Sequence, residues 1–147
     1  MVDALHEIHR VLRPGGLLID ARPDSRRLAA VDHLGGARPR TVGTVNTSRE
    51  TLVDDHTSDR AIARVKREGL FRSLRRGGFT HHVAFAGLPE LLAYLGDHRR
   101  LVKRARWSVP AGTRRRWRRD RFRIERPVRY ELLESVPAKR QRPALMV

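Results

Sequence analysis

Residues 7–20 read Glu-Ile-His-Arg-Val-Leu-Arg-Pro-Gly-Gly-Leu-Leu-Ile-Asp, and no other run constrains the fold as much. Leu5, Ile8 and Leu12 stand at i, i+3 and i+7, the spacing of one helical face. Arg13, Pro14, Gly15 and Gly16 then end the helix, because proline cannot continue the ladder and glycine accepts the positive φ of a helix end. Leu17 to Ala21 follows as an apolar run broken by Asp20, the pattern of a strand buried on both faces of a parallel sheet. Helix, tight turn and buried strand in succession predict an α/β architecture.

The rest of the chain is punctuated by glycine pairs. Asp24 or Ser25 is placed to cap a short helix through Leu34, stopped by Gly35 and Gly36. Residues 40–46 alternate weakly, as a hairpin strand or an ordered loop would. Thr57, Ser58 or Asp59 is placed to cap a helix whose stripe runs through Ala61, Ile62, Val65, Leu70, Phe71 and Leu74 to Gly77 and Gly78. Phe79, His81, Val83 and Phe85 then keep a period of two, which predicts a strand. Helical spacing returns from Leu88 to about Arg106. Thr113 to Arg121 is basic enough for a solvated helix or a loop. Phe122, Ile124, Val128, Tyr130 and Leu132 share one parity and predict a last strand, in which Pro127 implies a bulge or break. A tail from residue 135 is expected to be flexible, leaving 1–134 as the folded part.

Composition closes several routes. With no cysteine among 147 residues, disulfide frameworks, thiolate metal sites and cysteine nucleophiles are excluded. The longest aliphatic run, Leu17 to Ile19, is far short of the roughly 18 residues a membrane span needs, so no membrane partner is expected. The first residues show no basic stretch leading into an apolar one, so a cytoplasmic location is expected. The net charge of +16 is unevenly spread: residues 99–147 hold 17 basic and 4 acidic side chains, while residues 1–98 hold 15 and 12. Only Lys66, Lys103 and Lys139 are lysines, which points to a genome whose codons favour arginine.

The stretch Glu7-Ile8-His9-Arg10-Val11-Leu12-Arg13-Pro14-Gly15-Gly16-Leu17-Leu18-Ile19-Asp20 resembles the helix, Pro-Gly-Gly turn and fifth strand of class I S-adenosylmethionine-dependent methyltransferases of the type 11 kind. Gly77-Gly78-Phe79 resembles the lead-in to that family's sixth strand, and residues 122–133 resemble its seventh. The resemblance implies a partial Rossmann-like methyltransferase sheet made of family strands 5, 6 and 7 with flanking helices, the C-terminal half of the domain. Its fifth strand opens at the carboxyl end onto the ligand crevice. Asp20 and Arg22 lie at that end, on the substrate side.

The departures carry equal weight. Before this point the family has a strand followed by an Asp/Glu-x-Gly-x-Gly-x-Gly loop for the cofactor and an acidic residue for its ribose hydroxyls. No Gly-x-Gly occurs in this chain, so no cofactor-binding residue carries over. S-adenosylmethionine is the cofactor by resemblance alone, none is expected to bind the isolated chain, and that chain is expected to be inactive by itself. In the family's strand order, 3-2-1-4-5-7-6, the fifth strand lies beside the fourth. With no fourth strand here, the resemblance implies a partner for that edge, either a second copy or a separate cofactor-binding chain.

The other chemistry-bearing residues form no known constellation. His6 and His9 are three apart, whereas a zinc-protease helix needs ligands at i and i+4, so no metal is expected. His81 and His82 are neighbours on a strand and face opposite ways. Ser25, Ser58, Ser73 and Ser108 lie in no Gly-x-Ser-x-Gly setting, and no catalytic residue is assigned. The alternative to a methyltransferase-like protein is a non-catalytic module that binds nucleic acid or another polyanion through residues 99–129. Its contacts would be Arg114, Arg115, Arg116, Trp117, Arg118 and Arg119, arginines on phosphates with tryptophan available for stacking, and its binding would be non-specific.

Overall fold

The computed structural model describes residues 1–97 and 102–137. In chain order the elements are α1 (Val2–Val11), β1 (Leu17–Pro23), β2 (Ala29–His33), β3 (Arg40–Thr47), α2 (Arg49–Arg67), β4 (Phe71–Phe85), α3 (Leu88–Asp97), β5 (Val102–Trp107), α4 (Ala111–Arg116) and β6 (Phe122–Ser135). The strands form an open antiparallel sheet in the order β1-β6-β2-β3-β5, and β4 also pairs with β6. No helix among the described residues is long and apolar enough to cross a membrane. Contacts divide the chain into two compact units, one of Met1–Asp20, Thr57–Arg76 and Tyr130–Val147, the other of Ala21–His56 and Gly77–Arg129.

In the first unit, α1 and the second half of α2 bury Leu5, Ala61, Ile62 and Val65 with Phe71 of β4 and Leu133 of β6. The Pro-Gly-Gly turn is built as its residues require. Gly15 has φ +78°, and a Cβ on Gly16 would approach the Arg13 carbonyl to 2.8 Å. The turn is tied to the end of β6, where Gly15 N–H donates to Ser135 O at 2.9 Å and Ser135 N–H returns a bond to Gly16 O at 2.8 Å. Helix α2 ends on Gly69 at φ +75°, with Gly69 N–H on Lys66 O and Leu70 N–H on Val65 O, the paired bonds of a Schellman stop. This stop is why Leu70 to Leu74, which share the helical stripe in sequence, leave the helix and start β4.

The second unit packs Val31, Val42, Val45, Phe122, Ile124 and, at the end of β4, Phe85 from the sheet against Leu88 and Leu91 of α3. Val31 sits opposite Gly43 of β3 and Ile124 of β6, and Val45 opposite Ala105 of β5. Gly43 permits a close approach, since a Cβ there would meet Arg106 O at 2.8 Å. Ser48 begins α2, accepting the Thr51 N–H on its hydroxyl at 3.2 Å. At the start of α3, Glu90 reaches back to the Ala86 N–H at 2.6 Å.

Several elements differ from the sequence reading. Residues 25–34 form a turn and a strand rather than a helix: Arg27 N–H closes on Asp24 O, and β2 is held on both edges and almost wholly buried. Helix α2 starts at Arg49, a full two turns before Thr57, because Ser48 supplies the cap. Strand β4 runs through Gly77 and Gly78, which replace a helix stop with a close approach, a Cβ on Gly78 falling 2.8 Å from Val128 O. Helix α3 is described through Asp97, and Val102–Trp107, expected to continue the helix, forms β5. β6 is continuous through Pro127, whose carbonyl accepts the Asp24 N–H at 2.8 Å. β1 is the expected strand, but its partner runs antiparallel and its burial alternates, leaving Leu17 and Ile19 exposed at 55% and 65%. Of the tail, Ser135 belongs to β6 and Val136 N–H bonds Leu70 O, while residues 138–147 lie outside the described residues.

Two expected outcomes follow for the first unit. Leu133 is fully buried, so Leu133→Ala should lower unfolding free energy by about 3 kcal/mol in urea titration, the usual cost of a leucine cavity. Glu131 accepts from Lys66 Nζ at 2.5 Å and Arg76 Nη2 at 3.2 Å. Burial pushes its carboxyl up, but the hydrogen bonds from Lys66, Ser73 and Arg76 outweigh it and hold the group below its ordinary value. A carboxylate depressed in the folded state adds stability that is fully present above its unfolded pKa, about 4.3, and is lost as pH falls through the lower folded one. Glu131→Gln should therefore lower the urea midpoint at neutral pH and flatten its acid limb below about pH 4.3.

Candidate functional site

Asp20 and Arg22 occupy the half-buried parity of β1 together with Leu18. Arg22, in the second unit, donates from Nη1 to the Asp55 carbonyl on α2 at 3.2 Å, which fastens the end of the strand to the helix. Asp55 is buried, and its Oδ2 has no hydrogen-bond partner among the described residues. Asp20, in the first unit, is also engaged by neighbouring groups. The histidines divide among separate duties. His6 Nε2 meets Glu68 Oε2 at 2.6 Å, and His9 Nε2 meets Val136 O at 2.9 Å with its ring edge-on to Phe71. His81 and His82 are both exposed, the latter 3.6 Å from Glu125. The described residues contain no cluster of three or more His, Asp or Glu able to hold a metal ion.

The second unit brings the predicted arginine residues together on a short, well-anchored segment. After Pro110, α4 supplies one and a half turns, and the backbone keeps turning: Trp117 N–H bonds Arg114 O, Arg118 N–H bonds Arg115 O and Asp120 N–H bonds Trp117 O. This winding sends Thr113, Arg114, Trp117 and Asp120 to the inner side, where all four are half-buried. Arg115, Arg116, Arg118, Arg119 and Arg121 are left exposed on the outer side.

His33 of β2, which no sequence motif singles out, holds this segment. Its ring lies flat on Trp117, with centroids 4.0 Å apart and planes 14° from parallel, and Phe122 packs on it at 5.4 Å. Its Nε2 is 2.7 Å from Asp120 Oδ2, the His33 side chain being 9% exposed. Gly35 is required here, because a Cβ would fall 2.5 Å from Asp120 Oδ2 and 2.7 Å from His33 Nε2. Backbone bonds complete the attachment, from Leu34 N–H to Arg121 O at 2.8 Å and from Leu88 N–H to Arg118 O at 3.2 Å.

Beside His33, the buried Asp32 accepts from Thr41 Oγ1 at 2.8 Å and from Arg123 Nη2 at 3.0 Å, and Arg123 also meets Glu125 at 2.5 Å. Arg114 lies over the Trp107 ring, its Cζ 4.5 Å from the centroid, a cation-π contact. Both tryptophans are thus committed to the protein: one face of Trp117 carries His33, and one face of Trp107 carries Arg114. Of the predicted polyanion contacts, Arg115, Arg116, Arg118 and Arg119 project outward together, while Arg114 and Trp117 belong to the supporting side. Residues 98–101 of the predicted basic region lie outside the described residues.

Asp32 and His33 are hidden in the sequence because residues 25–34 look helical, which scatters these two side chains. The available signal was the alternation of Ala29, Val31 and His33 before Gly35-Gly36, a strand ending in a turn. Comparison with protein-family profiles, with curated proteins and with solved structures found no match.

Proposed function

We propose that this chain forms the substrate-side part of a class I S-adenosylmethionine-dependent methyltransferase fold. The observation that carries the reading is a strand order. β1, β4 and β6 follow one another in the chain, yet the last enters between the first two, giving β1-β6-β4. The family's order 5-7-6 has the same inversion, and β1, β4 and β6 are the segments that resemble its fifth, sixth and seventh strands. The Pro-Gly-Gly turn leading into β1 adds to this. In this reading the Rossmann-like sheet is partial, strands β2, β3 and β5 are additions to it, and Asp20 and Arg22 border the acceptor crevice.

The residues present do not fit the cofactor. The Gly15 and Gly16 N–H groups are spent on the Ser135 and Arg13 carbonyls, Gly35 is packed on Asp120 and His33, and the glycines with open space around them, Gly69, Gly96 and Gly112, stand singly rather than in a Gly-x-Gly loop. The cofactor is therefore held by residues other than these, on a segment or chain that pairs with the outer edge of β1, the place of the family's fourth strand. In support, β1 ends the strand order, while the exposure of Leu17 and Ile19 leaves one face of the strand bare as well. Such an edge is a template for another strand.

Isothermal titration of this chain with S-adenosylmethionine should show no saturable binding at or below about 100 μM, equivalent to roughly −5.5 kcal/mol. A Gly-rich loop is expected on the segment or chain that pairs with the β1 edge, and supplying it should restore binding. Binding by this chain alone, or a loop-bearing assembly that still binds nothing, overturns the reading. Sedimentation at micromolar concentration should show the isolated chain self-associated, and Ile19→Lys, a change on an exposed side chain, should yield the monomer. A strictly monomeric wild type would remove the case for an edge partner.

A further inference from the structure

We propose that the second unit presents Arg115, Arg116, Arg118, Arg119 and Arg121 as a surface for the phosphate backbone of a nucleic-acid duplex, bound without reading the bases. The first ground is the distribution of charge. Every exposed position from 115 to 121 is an arginine, and none of the five pairs with a carboxylate among the described residues. The acid within the segment, Asp120, is turned inward onto His33. A genome rich in arginine explains the choice of arginine over lysine, but it does not explain why, from 115 to 121, the inner positions hold Trp117 and Asp120 and the outer ones arginine alone.

The second ground is rigidity. Five adjacent cations repel one another, and a segment free to move would separate them. Here the Trp117 stack, the Asp120–His33 contact and the bonds to the Arg118 and Arg121 carbonyls fix the backbone. Gly87 closes the other side, since a Cβ there would come within 2.9 Å of Arg118 O. Binding therefore orders only side chains, and the guanidinium fork matches phosphate oxygens bidentately.

The third ground selects the polyanion. Single-strand binders gain much of their affinity by stacking bases on aromatic rings. Here Trp107 and Trp117 are half-buried and each carries a protein group on one face, Arg114 and His33, and residues 105–121 hold no other aromatic side chain to serve as a stacking platform beside the arginines. A bilayer surface favours apolar side chains among the cations. No large hydrophobic side chain is strongly exposed between residues 105 and 137. A duplex, with one charge per roughly 1.7 Å of axis, asks only for cations in a fixed array.

The test is fluorescence anisotropy of the full chain with a 20-base-pair duplex in DNA and RNA form, the corresponding single strand, and phosphatidylglycerol vesicles. Both duplexes should bind with little dependence on sequence, and log K should fall against log salt with a slope of about −4 to −5, roughly 0.9 per phosphate contacted. The triple variant Arg115→Gln, Arg118→Gln, Arg119→Gln should bind at least about tenfold more weakly and lose about 2.7 from that slope, with an unchanged thermal melt because the three side chains are exposed. Preference for the single strand, tighter binding to the vesicles, a sequence preference that survives salt, or a triple variant as tight as wild type would each overturn the proposal. None of these results depends on cofactor binding or on the β1 edge.

Discussion

Hydrogen bonding along β6 is the constraint on which both compact units rest. This strand pairs with β1 and β2 and also with β4, and it supplies a fully buried side chain to each core, Leu133 to one and Phe122 with Ile124 to the other. Its partners come from far earlier in the chain, so each pairing closes a long loop and brings no reward until the last segment arrives. Polar bonds follow the same line. Lys66 and Arg76 meet Glu131 in the first unit, and Asp32 and Arg123 meet in the second. The backbone ladder sets the register on which these side-chain contacts depend.

Local punctuation was readable where the backbone itself dictates the outcome. The Pro-Gly-Gly turn after α1 follows from positive φ and close approach at two glycines, and the period-two run from Phe79 to Phe85 lies within β4. The failures share a cause. Residues 29–33 take strand geometry because Val31 lies between β3 and β6, a tertiary fact that overrides a helical-looking stretch with good caps at both ends. At Gly69 the opposite holds: a local Schellman stop ends α2, but the apolar stripe continues past it and hides the change from helix to strand. Gly77 and Gly78 read as a stop because glycine pairs usually are, yet here the missing side chain admits the Val128 carbonyl.

The candidate surface was half legible. Charge counting found the arginine run, and the structure gives that run two sides. Which side each residue takes depends on a turn that continues beyond α4 and on a ring supplied by β2, 84 positions earlier in the chain than the tryptophan it covers. Trp117 invited assignment as a stacking platform for a ligand. One face of its ring is occupied by His33 and serves the fold. Arg22 illustrates the reverse, a polar residue at the end of a strand that the structure ties to the Asp55 carbonyl.

The late position of β6 also sets a schedule for biosynthesis. Gly16, at the head of β1, leaves the ribosome well over a hundred residues before Ser135, to which it is bonded, is made. At the usual 5–20 residues per second, that interval is roughly 6–24 s. Throughout it, the edge of β1 that later bonds to β6 has no partner from its own chain, and neither does the corresponding edge of β4. The nascent polypeptide therefore presents two strands awaiting a third that both need.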